Sequence, residues 1–254
     1  MSPHLAVDGG PERLFGFRPH QADGRRTGSM TTGPWLAGPG EIPRAGALGV
    51  LVDNVLGTTI SAAHPSGRWS VSTEIGIDLV GPVPADGTVV RARVEALEVD
   101  AIGAFATGQV VDSAGTVIAH CRQRGRFVPS PVTTSGWTEV PLTDGDLMSR
   151  LGVSTSADAL DVTTTPVLAN PMGNLHGGVS FCISEWAGAL ALDRVGSPLT
   201  AASVQVAYLR PVPVGTRLRF TSHVVHAGRT LGVVHVTGSD EAGKSCTVTT
   251  LVTH

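Results

Sequence analysis

The sequence predicts an α+β fold built from two similar domains, each with one long helix packed against an antiparallel sheet. Three observations lead to this prediction: an internal repeat, one long apolar segment in each half, and a series of Val- and Thr-rich runs after each apolar segment. Together they favour two copies of one unit over a single large mixed domain.

The internal repeat is clearest where TTGPWLAGP at 31–39 matches TTTPVLANP at 163–171 in six of nine positions. A second match joins LVGPVPADGT at 79–88 to YLRPVPVGT at 208–216. Two copies of about 100 residues are too few and too long for a solenoid, so a pair of packed domains is expected. The predicted divisions are an N-terminal extension at 1–27, a first domain at 28–128, a linker at 129–159 and a second domain at 160–254.

Each copy contains one long apolar segment, at 45–62 in the first and at 177–195 in the second. Both segments exceed the usual strand length and carry apolar residues at helical spacing, so both are predicted as helices. The runs that follow are separated by Gly or Asp turns and predict four strands per copy. These strands are 69–80, 87–99, 103–112 and 116–127, then 200–209, 216–226, 230–238 and 245–253.

Composition and charge argue against several classes of partner. The chain is 41% hydrophobic and 15% charged, which is typical of a protein with a buried core. A net charge of −3 does not favour nucleic acid as the partner. We expect no apolar stretch to reach the roughly 18 residues that a membrane span needs, and the N-terminal sequence does not predict a signal peptide. Three widely spaced cysteines suit a reducing cytosol, so we expect a cytoplasmic protein without a structural metal.

The stretch NPMGNLHGG at 170–178 directly precedes the second helix. A helix start offers free backbone N–H groups and a positive dipole end, and glycines there allow close approach to the backbone. Such donors suit an oxygen atom that gains negative charge during a reaction. An acid, Glu185, follows His176 by nine residues, and the repeat places Asp53 at the same point of the first helix.

These residues resemble a known family. Asn170, Gly173, His176 and the following two glycines, with an acid at that spacing, look like the hotdog-fold acyl-CoA thioesterases, most of all the phenylacetate-type (PaaI-like) branch. The resemblance implies a tandem, or double, hotdog in which two hotdogs pair through their sheets and share sites at the seam. It implies hydrolysis of an acyl-CoA to free acid and coenzyme A, with no cofactor beyond the substrate's own coenzyme A. It also implies a homo-oligomer of such chains, a dimer or trimer.

In that family one hotdog supplies the Asn and the His-Gly-Gly turn, and the other supplies the carboxylate and a Ser or Thr on the next strand. Carried over to this chain, the resemblance implies one composite catalytic site made of Asp53, Ser72, Asn170, His176 and Gly177. The substrate-binding positions are Gly173, Gly178, Arg210 and Arg229. The two arginines would face the phosphates of coenzyme A, which guanidinium groups bind well.

The reciprocal site is predicted to be degenerate. Arg44 stands where the second copy has His176, and Ala201 stands at the Ser or Thr position. Gly38 and Glu41 replace the Asn and the Gly of the motif. Glu185 is then expected to pair with Arg44 as a structural ion pair, which leaves Asp53 as the working carboxylate.

Two other functions stay open on the sequence alone. One is a hotdog enoyl-CoA hydratase or dehydratase, and the other is a non-catalytic acyl-CoA-binding or scaffold protein. Cys182 lies six residues after His176 but inside an apolar helix, where cysteine is expected to be inert packing. The histidines late in the chain do not complete a metal-ligand set at a recognisable spacing.

Overall fold

The computed structural model describes residues 9–22, 25–37, 43–65, 67–129, 145–197 and 199–254. Several sequence predictions fall outside these described residues. They concern Gly38 and Glu41, positions 1–8 of the predicted extension, and positions 130–144 of the predicted linker.

Both halves follow the same order of elements. The described part of the first half contains α1 (Gly10–Leu14), β1 (Phe17–Ala22), β2 (Arg25–Thr31), α2 (Leu48–Ala62), β3 (Arg68–Leu79), β4 (Val89–Val99), β5 (Gly103–Val111) and β6 (Val117–Pro129). That of the second half contains α3 (Leu147–Leu151), β7 (Ser154–Thr155), β8 (Ala159–Thr163), α4 (Gly177–Arg194), β9 (Ala201–Tyr208), β10 (Arg217–Ala227), β11 (Gly232–Ser239) and β12 (Ser245–Thr253). Single 3₁₀ turns lie at Pro34–Leu36, Ala45–Ala47 and Pro166–Leu168.

The described strands form one continuous antiparallel sheet in the order β1-β2-β4-β5-β6-β3-β9-β12-β11-β10-β8-β7. The two halves join where β3 pairs with β9, with Ile75 opposite Val206 and Ile77 opposite Val204. All four of these side chains are fully buried, so the seam is part of the hydrophobic core. The predicted α+β fold, with one long helix and an antiparallel sheet in each half, is confirmed.

The two long helices pack closely against each other, and glycines make that approach possible. A Cβ on Gly178 of α4 would lie 2.5 Å from the Cα of Val50 on α2, and one on Gly46 would lie 2.9 Å from the Cα of Cys182. Contacts this short are far inside van der Waals distance, so a larger residue would push the helices apart. The packing brings the start of α4 beside the first two turns of α2.

The segment Ala45–Ala62 has a mean hydropathy of 1.3 and the length of a membrane span, so the expectation that no stretch reaches this length is wrong. However, 72% of the segment is buried within the protein. A core helix wrapped by a sheet is apolar on nearly every side for the same reason as a membrane helix, because water reaches little of its surface.

The sheet extends into segments that the repeat did not reveal. Residues 10–22 and 25–27, within the predicted extension, form α1, β1 and the start of β2, and β2 pairs with β4. Within the predicted linker, α3 and β7 take the corresponding place at the other edge, where β8 pairs with β10. The domain boundaries themselves stay a prediction.

Candidate active site

A cavity of about 530 Å³ lies at the seam between the two halves. Its wall combines residues that are far apart in the chain. The five predicted catalytic residues that line it are Asp53, Ser72, Asn170, His176 and Gly177. The structure therefore places the carboxylate of the first half and the His-Gly turn of the second around the same space.

Asp53 lies on the buried side of α2 and is held by donors from both halves. Its Oδ2 accepts the backbone N–H of Gly178 at 2.9 Å. Its Oδ1 accepts the hydroxyl of Ser72 at 3.1 Å and the side-chain amide of Gln123 at 2.7 Å. A carboxylate so far from solvent is costly unless its oxygens are hydrogen-bonded, and here both are. The donors also fix the direction in which the carboxylate points.

Gln123 was missed by the sequence reasoning. It lies on β6, is almost fully buried, and its Nε2 is also 2.7 Å from the hydroxyl of Ser72. The pairing of β3 with β6 brings it opposite Ile75, next to Asp53. A signal was present, because Gln123 is a polar residue among the inward-facing positions of an alternating strand. Gly57 on α2 leaves room for it, since a Cβ there would lie 2.9 Å from Nε2 of Gln123.

His176 is the N-cap of α4 and is buried between two carboxylates. Its Nδ1 accepts the backbone N–H of Gly178 at 3.1 Å and lies 3.3 Å from Oδ2 of Asp53. Its Nε2 lies 3.4 Å from Oε1 of Glu12. Burial lowers the pKa of His176, but the negative charges of Asp53 and Glu12 raise it more, so the net shift of the pKa is upward.

Glu12 was also missed, because it lies on α1 in the segment predicted as an extension. Glu12 is 1% exposed, and its Oε1 accepts the side-chain amide of Asn54 at 2.5 Å. Burial raises the pKa of Glu12, but the hydrogen bond and charge of His176 lower it more, so the net shift is downward. Neither the internal repeat nor the spacing of the motif indicated that Glu12 belongs to the site.

The two glycines of the turn have different tasks. Gly177 lines the cavity, and its N–H donates to no acceptor among the described residues. Its carbonyl accepts the hydroxyl of Tyr208 at 2.8 Å, and a Cβ on it would lie 2.7 Å from Oδ2 of Asp53. Gly178 lies outside the cavity wall, and its N–H already serves Asp53. Only Gly177 therefore presents the free helix N–H that was expected of both residues.

The loop before the turn is braced by Asn170. Its Oδ1 accepts the backbone N–H groups of Met172 and Asn174, at 2.9 and 3.2 Å, while the residue itself lines the cavity. Gly173, predicted to contact substrate, instead makes the turn: its φ is +72°, it donates to the carbonyl of Asn170, and it lies outside the cavity wall.

Of the two predicted phosphate-binding arginines, the structure brings only Arg210 to the cavity. Arg210 is exposed at the cavity wall and donates to the carbonyl of Ser245. Arg229 is exposed in the turn between β10 and β11. The strand register places that turn about 20 Å along the sheet from Tyr208, at the opposite end.

Two protein-family models match the chain, one in each half. Residues 172–247 match the model described as thioesterase superfamily, and residues 10–127 match the model described as acyl-CoA thioesterase C-terminal domain. Each half of the chain thus matches a thioesterase family model of its own. No curated protein matches the sequence.

Solved structures share the double-hotdog fold over nearly the whole chain. An acyl-ACP thioesterase from Bacteroides thetaiotaomicron has 12% identity and a TM-score of 0.63, covering 96% of this chain and 99% of that one. The tesB protein of Mycobacterium avium subspecies paratuberculosis has 11% identity and a TM-score of 0.68, covering 95% and 96%. The 12:0-ACP thioesterase from Umbellularia californica has 11% identity and a TM-score of 0.59, covering 89% and 95%. At these identities the likeness is one of fold.

The second hotdog's own acid, Glu185, lies in the reciprocal arrangement on α4. It is fully buried, and its Oε2 accepts no hydrogen bond among the described residues. Burial raises the pKa of Glu185 to about 7, opposed by the charge of Arg44 and the N–H of Gly46. The predicted ion pair between Arg44 and Glu185 does not form. Within the described residues Glu185 takes part in no ion pair, and Arg44 instead contacts Asp193 at 3.1 Å.

The donors that hold Asp53 have no counterparts around Glu185. The repeat places Ala201 at the position of Ser72, and Leu251, buried on β12, at the position of Gln123. Neither side chain can donate a hydrogen bond to a carboxylate. This double hotdog therefore contains one fully donor-held carboxylate and one that is buried with fewer partners.

Cys182 and the late histidines provide no alternative chemistry in the described part of the chain. Burial, with the charge of Glu185, raises the pKa of the Cys182 thiol well above its usual value, so the thiolate is disfavoured. No group of three or more His, Cys, Asp or Glu side chains in the described ranges is arranged to hold a metal ion.

Proposed function

We propose that this double hotdog hydrolyses an acyl-CoA thioester to a free acid and coenzyme A, at one composite site per chain. The observation that supports the proposal most is the meeting of Asp53 from the first half with the unused N–H of Gly177 from the second, across one cavity. A carboxylate base and an oxyanion donor are the two groups that thioester hydrolysis needs.

In the proposed mechanism Asp53 takes a proton from a water molecule as that water attacks the thioester carbon. Ser72 and Gln123 hold Oδ1 of Asp53 in place during the attack. The carbonyl oxygen gains negative charge and accepts the N–H of Gly177, at the positive end of the α4 dipole. The carbon–sulfur bond then breaks, and the proton held by Asp53 passes to the departing sulfur, which restores the carboxylate.

The substrate is proposed to enter past Arg210, whose guanidinium would meet the phosphates of coenzyme A. Trp69, Val128 and Ser61 line the cavity along α2 and would contact the acyl group. The motif NPMGNLHGG supports a place in the phenylacetate-type branch. A cytoplasmic location, a homo-oligomer of double-hotdog chains and the lack of any cofactor beyond coenzyme A are further proposals from the same resemblance.

A panel of acyl-CoA esters, with detection of the released thiol, tests this function. Thiol release that Asp53→Asn abolishes would support hydrolysis at this site. Acyl-CoA binding without thiol release would favour the non-catalytic scaffold. Loss of an enoyl double bond without thiol release would favour the hydratase. The same panel presented on acyl carrier protein separates the two carriers, since two of the structurally similar proteins are named as acyl-ACP thioesterases.

A further inference from the structure

Glu12 is a buried carboxylate for which the proposed hydrolysis has no direct use. It comes from α1, far from the motif in the chain, and its Oε2 accepts no hydrogen bond among the described residues. Removing an ionised carboxylate from water costs several kcal/mol, on the order of what a whole domain has in net stability. A buried carboxylate that costs this much stability is therefore expected to have a function.

The contacts of Glu12 lead to the cavity through His176. Oε1 lies 3.4 Å from Nε2 of His176, and Asn54, the neighbour of Asp53 on α2, donates to the same oxygen. On its other side His176 faces Oδ2 of Asp53 at 3.3 Å. The order Glu12–His176–Asp53 thus forms a chain of three titratable groups, with the imidazole in the middle. Glu12 does not line the cavity itself.

The charges around His176 determine whether its imidazole is protonated. An unprotonated Nδ1 accepts the N–H of Gly178 at 3.1 Å, whereas a protonated Nδ1 would donate to Oδ2 of Asp53, 3.3 Å away. Gly178 is satisfied by Oδ2 of Asp53 in both cases. Two carboxylates on opposite sides favour the imidazolium and outweigh its burial. The other groups near the site are Tyr208, whose pKa is raised well above its usual value by burial, and the exposed Arg210.

The opposite edge of the sheet provides an internal comparison. The helix α3 corresponds to α1, and its third residue is the exposed Ser149 where α1 has Glu12. The turn before α2 has Arg44 where the turn before α4 has His176. The chain thus has a buried acid on the short helix only on the side where the turn has a histidine.

We propose that Glu12 is a positioning residue that fixes the orientation and positive charge of His176, so that His176 donates to Oδ2 of Asp53. This rests on the proposed thioesterase function of Asp53. The imidazolium would hold Oδ2 of Asp53, while Oδ1, with its donors Ser72 and Gln123, faces the attacking water. Glu12 acts on the reaction only through His176.

The test compares Glu12→Gln with the wild type and with Glu98→Gln, an exposed glutamate on β4. Gln keeps the size of the side chain and an oxygen for Asn54 but removes the charge. The alkaline limb of kcat/KM should move to lower pH by about one unit, so that activity falls about tenfold near pH 8 and stays close to wild type near pH 6. Glu98→Gln should keep the wild-type profile.

A second measurement does not need activity. NMR of labelled histidine, with His176 assigned by the loss of its signal in His176→Asn, reports its protonation directly. The expected result is a wild-type imidazole that stays protonated through neutral pH and titrates about one unit lower in Glu12→Gln. A His176 already neutral near pH 6 in the wild type would overturn the proposal, even if the variant fails to fold. So would a loss of activity that is equal at every pH.

The two measurements also separate this proposal from the function on which it rests. If no acyl-CoA is hydrolysed but His176 titrates as expected, the thioesterase assignment fails and the effect of Glu12 on His176 stands. If hydrolysis proceeds and depends on Asp53, while Glu12→Gln leaves both the profile and the titration unchanged, only the role of Glu12 is refuted.

Discussion

Asparagine in place of Asp53 tests which of the two helix acids performs the chemistry. The amide has the same size, but it has no charge and only one acceptor oxygen. Its NH₂ group would have to face either Gln123 or the N–H of Gly178, which are both donors at hydrogen-bond distance in the native protein. We expect the mismatch to lower the free energy of unfolding by about 1 to 3 kcal/mol. The variant should therefore still fold.

The effect of Asp53→Asn on catalysis should be much larger than its effect on stability. Loss of a general base typically lowers kcat by about 10²- to 10⁴-fold. That range corresponds to about 3 to 5 kcal/mol in the barrier, beyond what a modest shift in stability explains. Thiol release from the best acyl-CoA of the panel measures the rate, and thermal unfolding confirms that the variant is folded.

Glu185→Gln is the matched control. Glu185 occupies the equivalent place on α4, is even more deeply buried, and lacks the Ser and Gln partners of Asp53. Hydrolysis should proceed near the wild-type rate in this variant, because Glu185 does not line the cavity. If Glu185→Gln abolished thiol release while Asp53→Asn retained it, the composite site described above would be refuted.

Three further outcomes are expected. Gly177→Ala should lower kcat by about 10- to 100-fold with little loss of stability. The added Cβ would lie 2.7 Å from Oδ2 of Asp53 and would displace the carboxylate. An unchanged kcat would show that the carboxylate tolerates this contact. Because burial raises the pKa of Glu185 from 4.5 to about 7, its contribution to the free energy of unfolding is full below about pH 4.5 and declines as the pH rises to about 7. Denaturant unfolding across that range should show this decline in the wild type and its absence in Glu185→Gln, a difference of up to about 3 kcal/mol above pH 7; parallel pH curves would contradict it. Trp69→Ala should enlarge the cavity along α2 and shift kcat/KM toward bulkier acyl groups; the same preference order in both proteins would show that the acyl group lies elsewhere.

Local patterns were sufficient for much of the architecture. The apolar segments at 45–62 and 177–195 became α2 and α4, with the first few residues of the former in a 3₁₀ turn. Strand boundaries agree with prediction to within a few residues, because Gly and Asp turns separate runs of regular alternation. The sequence analysis did not predict the short helices α1 and α3, because a five-residue helix has too few turns to show a hydrophobic period.

The candidate site likewise contains residues that the sequence predicted and residues that it did not. The repeat alone indicated that Asp53 and Glu185 occupy equivalent places and that the turn of the second half completes only one site. It could not find Gln123 or Glu12, because neither lies at a characteristic distance in the chain from the motif. Their positions depend on the register of β6 against β3 and on the docking of α1 beside α2.

The sequence by itself determined the duplication, the long helices, the histidine N-cap and the pair of helix acids, because these depend on residues near one another in the chain. Only the tertiary structure decided which donors surround each acid and which glycine keeps a free N–H. Gly177 and Gly178 are adjacent and chemically identical, yet one faces a cavity and the other faces a helix. That difference arises from the close packing of α2 on α4, a contact between segments separated by more than a hundred residues, which no local pattern encodes.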